Sequence, residues 1–216
     1  MELNSVQTFV IWVLPVIFAI TIHEAAHGWA AEKLGDSTAK MLGRLTLNPI
    51  KHIDPIGTIL VPGFLYLTGG FLFGWAKPVP VTWENLKNPR RDVALVALAG
   101  PGANFIMALL WAFIMKLGFV LAPSPQYWLF PLILMGKAGI EINLILMLLN
   151  LLPILPLDGG RVLGALLPGP LAYKYSRLEP YGIFIVLGLL FLGILSQILS
   201  PMLSHLRVMM YSLVGL

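Results

Sequence analysis

Four long apolar runs dominate the chain, and the polar positions fall mainly between them. Val6–Leu34 is an apolar run long enough to cross a membrane. It predicts one long helix stopped by Gly35-Asp36, with Pro15 as an interruption that a membrane helix tolerates. Val93–Leu121 and Trp128–Leu152 repeat the pattern and end at Pro123/Pro125 and at Pro153/Pro156. Tyr181–Leu199 predicts a last span. The tail Ser200–Leu216, with His205 and Arg207 among apolar residues, predicts a segment lying at the interface.

The first two spans are separated by less regular sequence. Alternation of polar and apolar residues at Arg44–Asn48, within Thr38–Pro55, predicts a short strand or hairpin. His52 and Asp54 stand between two prolines, as in a turn. Ile56–Trp75 is apolar and long enough to cross, but Pro62-Gly63 and Gly69-Gly70 interrupt it. Its continuation, Gly74–Val81, contains Lys77-Pro78-Val79-Pro80, whose prolines forbid helix and favour extended chain. Val162–Pro180 is short, mixed and moderately basic.

Composition turns these runs into a class. The 216 residues are 58% hydrophobic and 11% charged, whereas soluble domains carry about a quarter charged residues. The expectation is a polytopic α-helical membrane protein: about four full spans plus a membrane-associated β-hairpin or re-entrant segment, in a single domain over residues 1–216. The chain has no cysteine, which excludes disulfides and a cysteine nucleophile and leaves any metal to histidine and carboxylate ligands. The start, Met1-Glu2-Leu3-Asn4, lacks the basic region of a signal peptide, so the first run is expected to be retained.

The net charge of +4 does not point to nucleic acid here, because basic loops set membrane orientation. If Ile56–Trp75 crosses, simple alternation places six Lys and Arg on one side and seven on the other. If it enters and returns, eleven face two, with Lys137 left within the membrane. The positive-inside rule favours the second arrangement. It puts the N-terminus outside, and the end of the first helix and Asp158 on the cytoplasmic side of the cell membrane.

The candidate chemistry sits inside the first run, at His23-Glu24-Ala25-Ala26-His27. On a helix this spacing sets two imidazoles one turn apart on one face, within reach of one zinc ion, with Glu24 beside the metal's open position. Ionisable groups in such apolar surroundings are costly to desolvate and are functional by default. A catalytic zinc takes three protein ligands. The third can come from Glu32, Asp36, His52, Asp54, Glu141, Asp158 or His205. Asp158 stands out because it follows a broken span and precedes Gly159-Gly160, although an Asp there can equally cap the next helix.

Two separated motifs give the chain a family resemblance. His23–His27 and Asn150-Leu151-Leu152-Pro153-Ile154-Leu155-Pro156-Leu157-Asp158-Gly159 are similar to the H-E-x-x-H and N-x-x-P-x-x-P-x-D-G patterns of the site-2 proteases, intramembrane zinc metalloproteases. Gly100-Pro101-Gly102-Ala103-Asn104 resembles the G-P-x-x-N of the same family. The resemblance covers nearly the whole chain. It implies one zinc on His23, His27 and Asp158, with Glu24 as catalytic base and Asn104 and Asn150 lining the cleft. It also implies membrane-associated strands beside the motif helices. The chain resembles the compact branch, since 216 residues leave no room for the PDZ or CBS modules of other members.

The implied reaction is hydrolysis of peptide bonds in membrane-anchored proteins, by a zinc-activated water with Glu24 as general base. Asn150, and less directly Asn104, are candidates to hold the oxyanion; interhelical hydrogen bonding is their alternative use. Lys137 and Glu141, at i and i+4, are expected to neutralise each other. Substrate is expected to pair with an open strand edge at Arg44–Asn48. A divalent-cation transporter or channel, or a non-catalytic membrane scaffold, would also use intramembrane His and Asp. Neither explains Glu24 between the histidines.

Overall fold

The computed structural model of this chain describes residues 4–61, 64, 76–121, 124 and 128–216. Helix α1 (Ser5–Leu34) opens with a capping box. Asn4 Oδ1 accepts from Gln7 N at 2.8 Å, and Gln7 Oε1 accepts from Asn4 N at 3.0 Å, so two backbone donors that a helix start leaves unpaired find partners. Ile11, Pro15, Ala19 and His23, one turn apart, form its buried stripe, while Phe9, Val10, Ile17 and Phe18 face outward. Exposed apolar side chains of this kind are what lipid covers.

A single turn, α2 (Thr38–Met41), follows, then a 3₁₀ turn at Pro49–His52 and a π-helical turn at Pro55–Leu60. Residues 76–82 run without helix, as the prolines require. Helix α3 (Pro89–Leu121) packs against α1, against α4 (Pro131–Asn150) and against the short α5 (Asp158–Leu166). The α3–α4 seam is close because Gly118, Gly136 and Gly139 lie directly on Ile133, Met115 and Trp111, where a β-carbon would not fit. A cis Leu155–Pro156 peptide lies between α4 and α5. The chain then forms α6 (Gly169–Ser176), α7 (Gly182–Phe191) and α8 (Ile194–Val214). α1, α3 and α4 are each long and apolar enough to cross a membrane.

The structure departs from the sequence expectations in four places. No strand occurs among the described residues, so the expected β-hairpin at Arg44–Asn48 is not formed. Its side chains explain why. Asn48 N bonds Thr46 Oγ1 at 3.1 Å and Ile50 N bonds Asn48 Oδ1 at 3.1 Å, which removes the donors a ladder would use. The expected last span Tyr181–Leu199 is broken at Gly193, whose φ of 72° suits a residue without a β-carbon. The helical run Gly169–Phe191 and α8 bend by 79° there, so among the described residues a fourth candidate crossing exists only if this bent pair is one span. The expected interfacial tail is instead the body of α8, which buries Met210 and Val214 in the α3–α4 core. Finally, Glu141 pairs with Arg207 of α8 at 2.9 Å rather than with Lys137.

Most of Ile56–Trp75 lies outside the described residues, but the chain on either side of it is defined. Lys77 N donates to His52 O at 3.0 Å, and Lys87 N donates to Leu34 O at 3.1 Å. The described chain before and after this segment therefore lies side by side, at His52 with Lys77 and at Leu34 with Lys87.

Candidate metal centre

The two histidines of α1 point their Nε2 atoms at each other, 3.1 Å apart. Asp158, in the first turn of α5, completes the group: its Oδ2 lies 3.3 Å from His23 Nε2 and 3.4 Å from His27 Nε2. The first turn of a helix is a favourable place for a carboxylate. Gly100 of α3 makes this possible, since a β-carbon there would overlap both imidazole rings.

Hydrogen bonds on the far side of each ring fix its neutral tautomer. His27 Nδ1 lies 2.7 Å from Val96 O, and a carbonyl only accepts, so Nδ1 carries the hydrogen. His23 Nδ1 lies 2.6 Å from Asn104 Oδ1. Asn104 is held in this orientation because its Nδ2 donates to Ala19 O at 3.2 Å and to Asn143 Oδ1 at 2.9 Å. Asn143 is oriented in turn by donating to Gly139 O at 2.8 Å. In its neutral form each ring therefore turns an Nε2 lone pair into the space shared with Asp158.

Three acceptors so close together repel unless a proton or a metal cation joins them. Asp158 Oδ2 is buried and has no hydrogen-bond partner. A tetrahedral zinc with bonds of about 2.0–2.1 Å spaces its ligands roughly 3.3–3.4 Å apart, close to the 3.1, 3.3 and 3.4 Å seen here. The donor set, the orphaned carboxylate oxygen and the outer hydrogen bonds thus fit a metal. Among the described residues this is the one group of three potential ligands close enough to share an ion.

The other acidic and histidine candidates are occupied elsewhere. Glu32 pairs with Lys40 at 2.6 Å, and His52 Nε2 lies 2.9 Å from Thr46 O. Asp54 caps the turn at Ile56 and Gly57, Glu141 pairs with Arg207, and His205 is exposed. Asp36 is fully buried and accepts from Thr82 N at 2.8 Å, Asn85 Nδ2 at 2.9 Å and both Thr38 N and Oγ1. Burial alone would raise its pKa, but the bonds from Thr38, Asn85 and Thr82 outweigh it and hold the carboxyl below its ordinary value.

Glu24, half-buried beside the histidines, accepts from Val79 N at 2.7 Å through Oε2. Asn104 spends both amide hydrogens on Ala19 and Asn143, which leaves it none for an oxyanion; its oxygen holds His23 instead. Asn150 donates to Leu146 O at 3.0 Å, back along α4. Sequence reasoning did not assign Asn143, Val96 or Val79. Asn143 was visible as an amide inside an apolar span, a common sign of an interhelical bond. The other two act through backbone atoms, which side-chain patterns do not register.

Comparison with known proteins agrees with this centre. A Bacillus subtilis (strain 168) protein named "Putative zinc metalloprotease YwhC" is 41% identical over 200 residues, covering 89% of this chain and 85% of that protein. The chain belongs to the site-2 protease family of zinc metalloproteases. A Mycolicibacterium smegmatis protein named "Putative zinc metalloprotease Rip2" is 30% identical over 87% of this chain and 69% of its own length. Methanocaldococcus jannaschii "Putative zinc metalloprotease MJ0611" is 31% identical over 74% of this chain and 72% of its own length. No protein-family model matches the chain. No solved structure matches it either.

Proposed function

We propose that the chain is an intramembrane zinc endopeptidase that cuts membrane-anchored proteins. The observation that carries this reading is the meeting of His23, His27 and Asp158 Oδ2 one helical step from Glu24, among helices long enough to span. One zinc per chain would rest on those three side chains. When bound, zinc supplies Lewis acidity, polarising the scissile carbonyl and lowering the pKa of a water towards about 7. Glu24 takes the proton of the attacking water and delivers it to the leaving amine. Asn104 keeps His23 in the ligating tautomer. Asn150 offers its second amide hydrogen to the developing oxyanion.

A peptide bond inside a helix is shielded, so the substrate must unwind, and its freed backbone groups need partners in lipid. The segment Arg44–Asn48 is the docking site in this reading, through backbone and side-chain groups rather than as an edge of a sheet. The basic residues orient the centre towards the cytoplasmic side of the cell membrane.

The test uses purified protein in proteoliposomes with zinc and fluorescein-labelled single-span polypeptides whose apolar segments carry helix-weakening Gly, Asn or Pro. Wild type cuts them, and Glu24→Gln lowers hydrolysis by about 10²–10⁴-fold with zinc content unchanged. Ion flux without peptide products would support a transporter instead. Wild-type turnover in Glu24→Gln would overturn the mechanism.

A further inference from the structure

The Glu24 carboxylate rests on one backbone N–H in an unusual setting. In Pro78-Val79-Pro80 the two prolines have no amide hydrogen, so Val79 carries the one donor of the three residues. Successive residues of an extended chain turn their N–H groups to opposite edges. The prolines therefore leave one edge without donors at 78 and 80, and the other edge presents Val79 N to Glu24 Oε2 at 2.7 Å.

The segment is fixed on both sides of that bond. Arg44 Nη2 donates to Lys77 O at 3.1 Å and to Pro78 O at 3.2 Å. Lys77 N donates to His52 O at 3.0 Å, and Thr82 N to Asp36 Oδ2 at 2.8 Å. The Val79 side chain is buried one helical turn beyond Glu24, where a β-carbon on Gly28 would come 3.1 Å from Val79 Cγ1. Gly28 thus lets the segment lie against α1 at the level of the catalytic base.

We infer that the Val79 amide is a positioning group for Glu24. It holds Oε2 in place and leaves Oε1 to face the attacking water. A carboxylate on a flexible side chain needs such a hold, because a base displaced by about 1 Å can lose on the order of 10²-fold in rate. This inference rests on the protease reading above, and its role for Val79 is separable from it.

The test compares Val79→Pro, which removes the N–H where the neighbouring prolines already demand extended chain, with Val79→Ala, which keeps it. With the fluorescein-labelled single-span polypeptides, Val79→Pro is expected to lower kcat by about 10–100-fold while KM and zinc content hold. Val79→Ala costs only a few-fold. In a Glu24→Gln background Val79→Pro costs nothing further, since there is no base left to position. A readout free of turnover uses ¹⁵N-valine protein in micelles: the Val79 amide proton, bonded to a carboxylate, moves upfield in Glu24→Gln. Wild-type kcat in Val79→Pro, an additional loss in the double variant, or an unmoved Val79 resonance would overturn the inference. Failure of wild type to cut any of the polypeptides would instead overturn the protease reading on which it rests.

Discussion

Asn104 Oδ1 lies 2.6 Å from His23 Nδ1, on the ring nitrogen that faces away from His27 and Asp158. Outer partners of a ligating histidine typically hold 10–100-fold of metal affinity. Asn104→Leu is therefore expected to weaken zinc binding by about that factor, read by competition with a chromophoric chelator. If Asn104 served only the oxyanion, kcat would fall while affinity stayed.

Gly100 and Gly102 sit two residues apart on α3 with opposite surroundings. A β-carbon at Gly100 would overlap the His23 and His27 rings, whereas one at Gly102 meets nothing within 4 Å. Gly100→Ala should lose most of its zinc, measured by elemental analysis. Gly102→Ala should keep it.

Asp36 joins the end of α1 to Thr82 and Asn85. Removing it strands buried donors, at about 1–3 kcal/mol for each left unsatisfied, so Asp36→Ala should melt at clearly lower temperature in detergent. Because its carboxyl titrates below the ordinary 3.8, its contribution is complete above that value. It is lost as pH falls further and the folded protein must take up the proton. Melting curves from about pH 6 to pH 3 should show an acid-side loss that is smaller in Asp36→Asn.

The absence of cysteine makes orientation simple to measure. Ser37 and Asn88 are both exposed and lie near the Lys87–Leu34 hydrogen bond. Cysteines placed at the two positions should label from the same face of sealed vesicles. Labelling from opposite faces would restore a full crossing by Ile56–Trp75.

The parts of the molecule governed by local spacing were legible in the sequence. One apolar run set α1 nearly to the residue, and the i, i+4 histidines could meet only on a helix. Asp158 was legible through the two motifs together, because a long-range contact leaves no trace in local periodicity. The failures have the same root. Arg44–Asn48 alternates like a strand, yet Thr46 and Asn48 satisfy the backbone locally. Lys137 and Glu141 have helical spacing for an ion pair, yet Arg207, brought in by α8, takes Glu141. Gly193 within an apolar run read as part of a span, and only its φ of 72° marks the break.

Two of the three candidate ligand side chains stand on α1 and the third on α5, with α3 and α4 between them in the chain. An ion shared by the three therefore works as a tether across most of the molecule, holding the short α5 to a core that has its own packing. The entropic cost of closing so large a loop rises only logarithmically with its length, so a single ion can offset it. Releasing the ion should loosen α5 as a local unit while α1, α3 and α4 stay folded. Amide exchange in residues 158–166 would then accelerate on chelation well before the long helices respond, and the same ion would act as the fastening of the helix that carries Asp158.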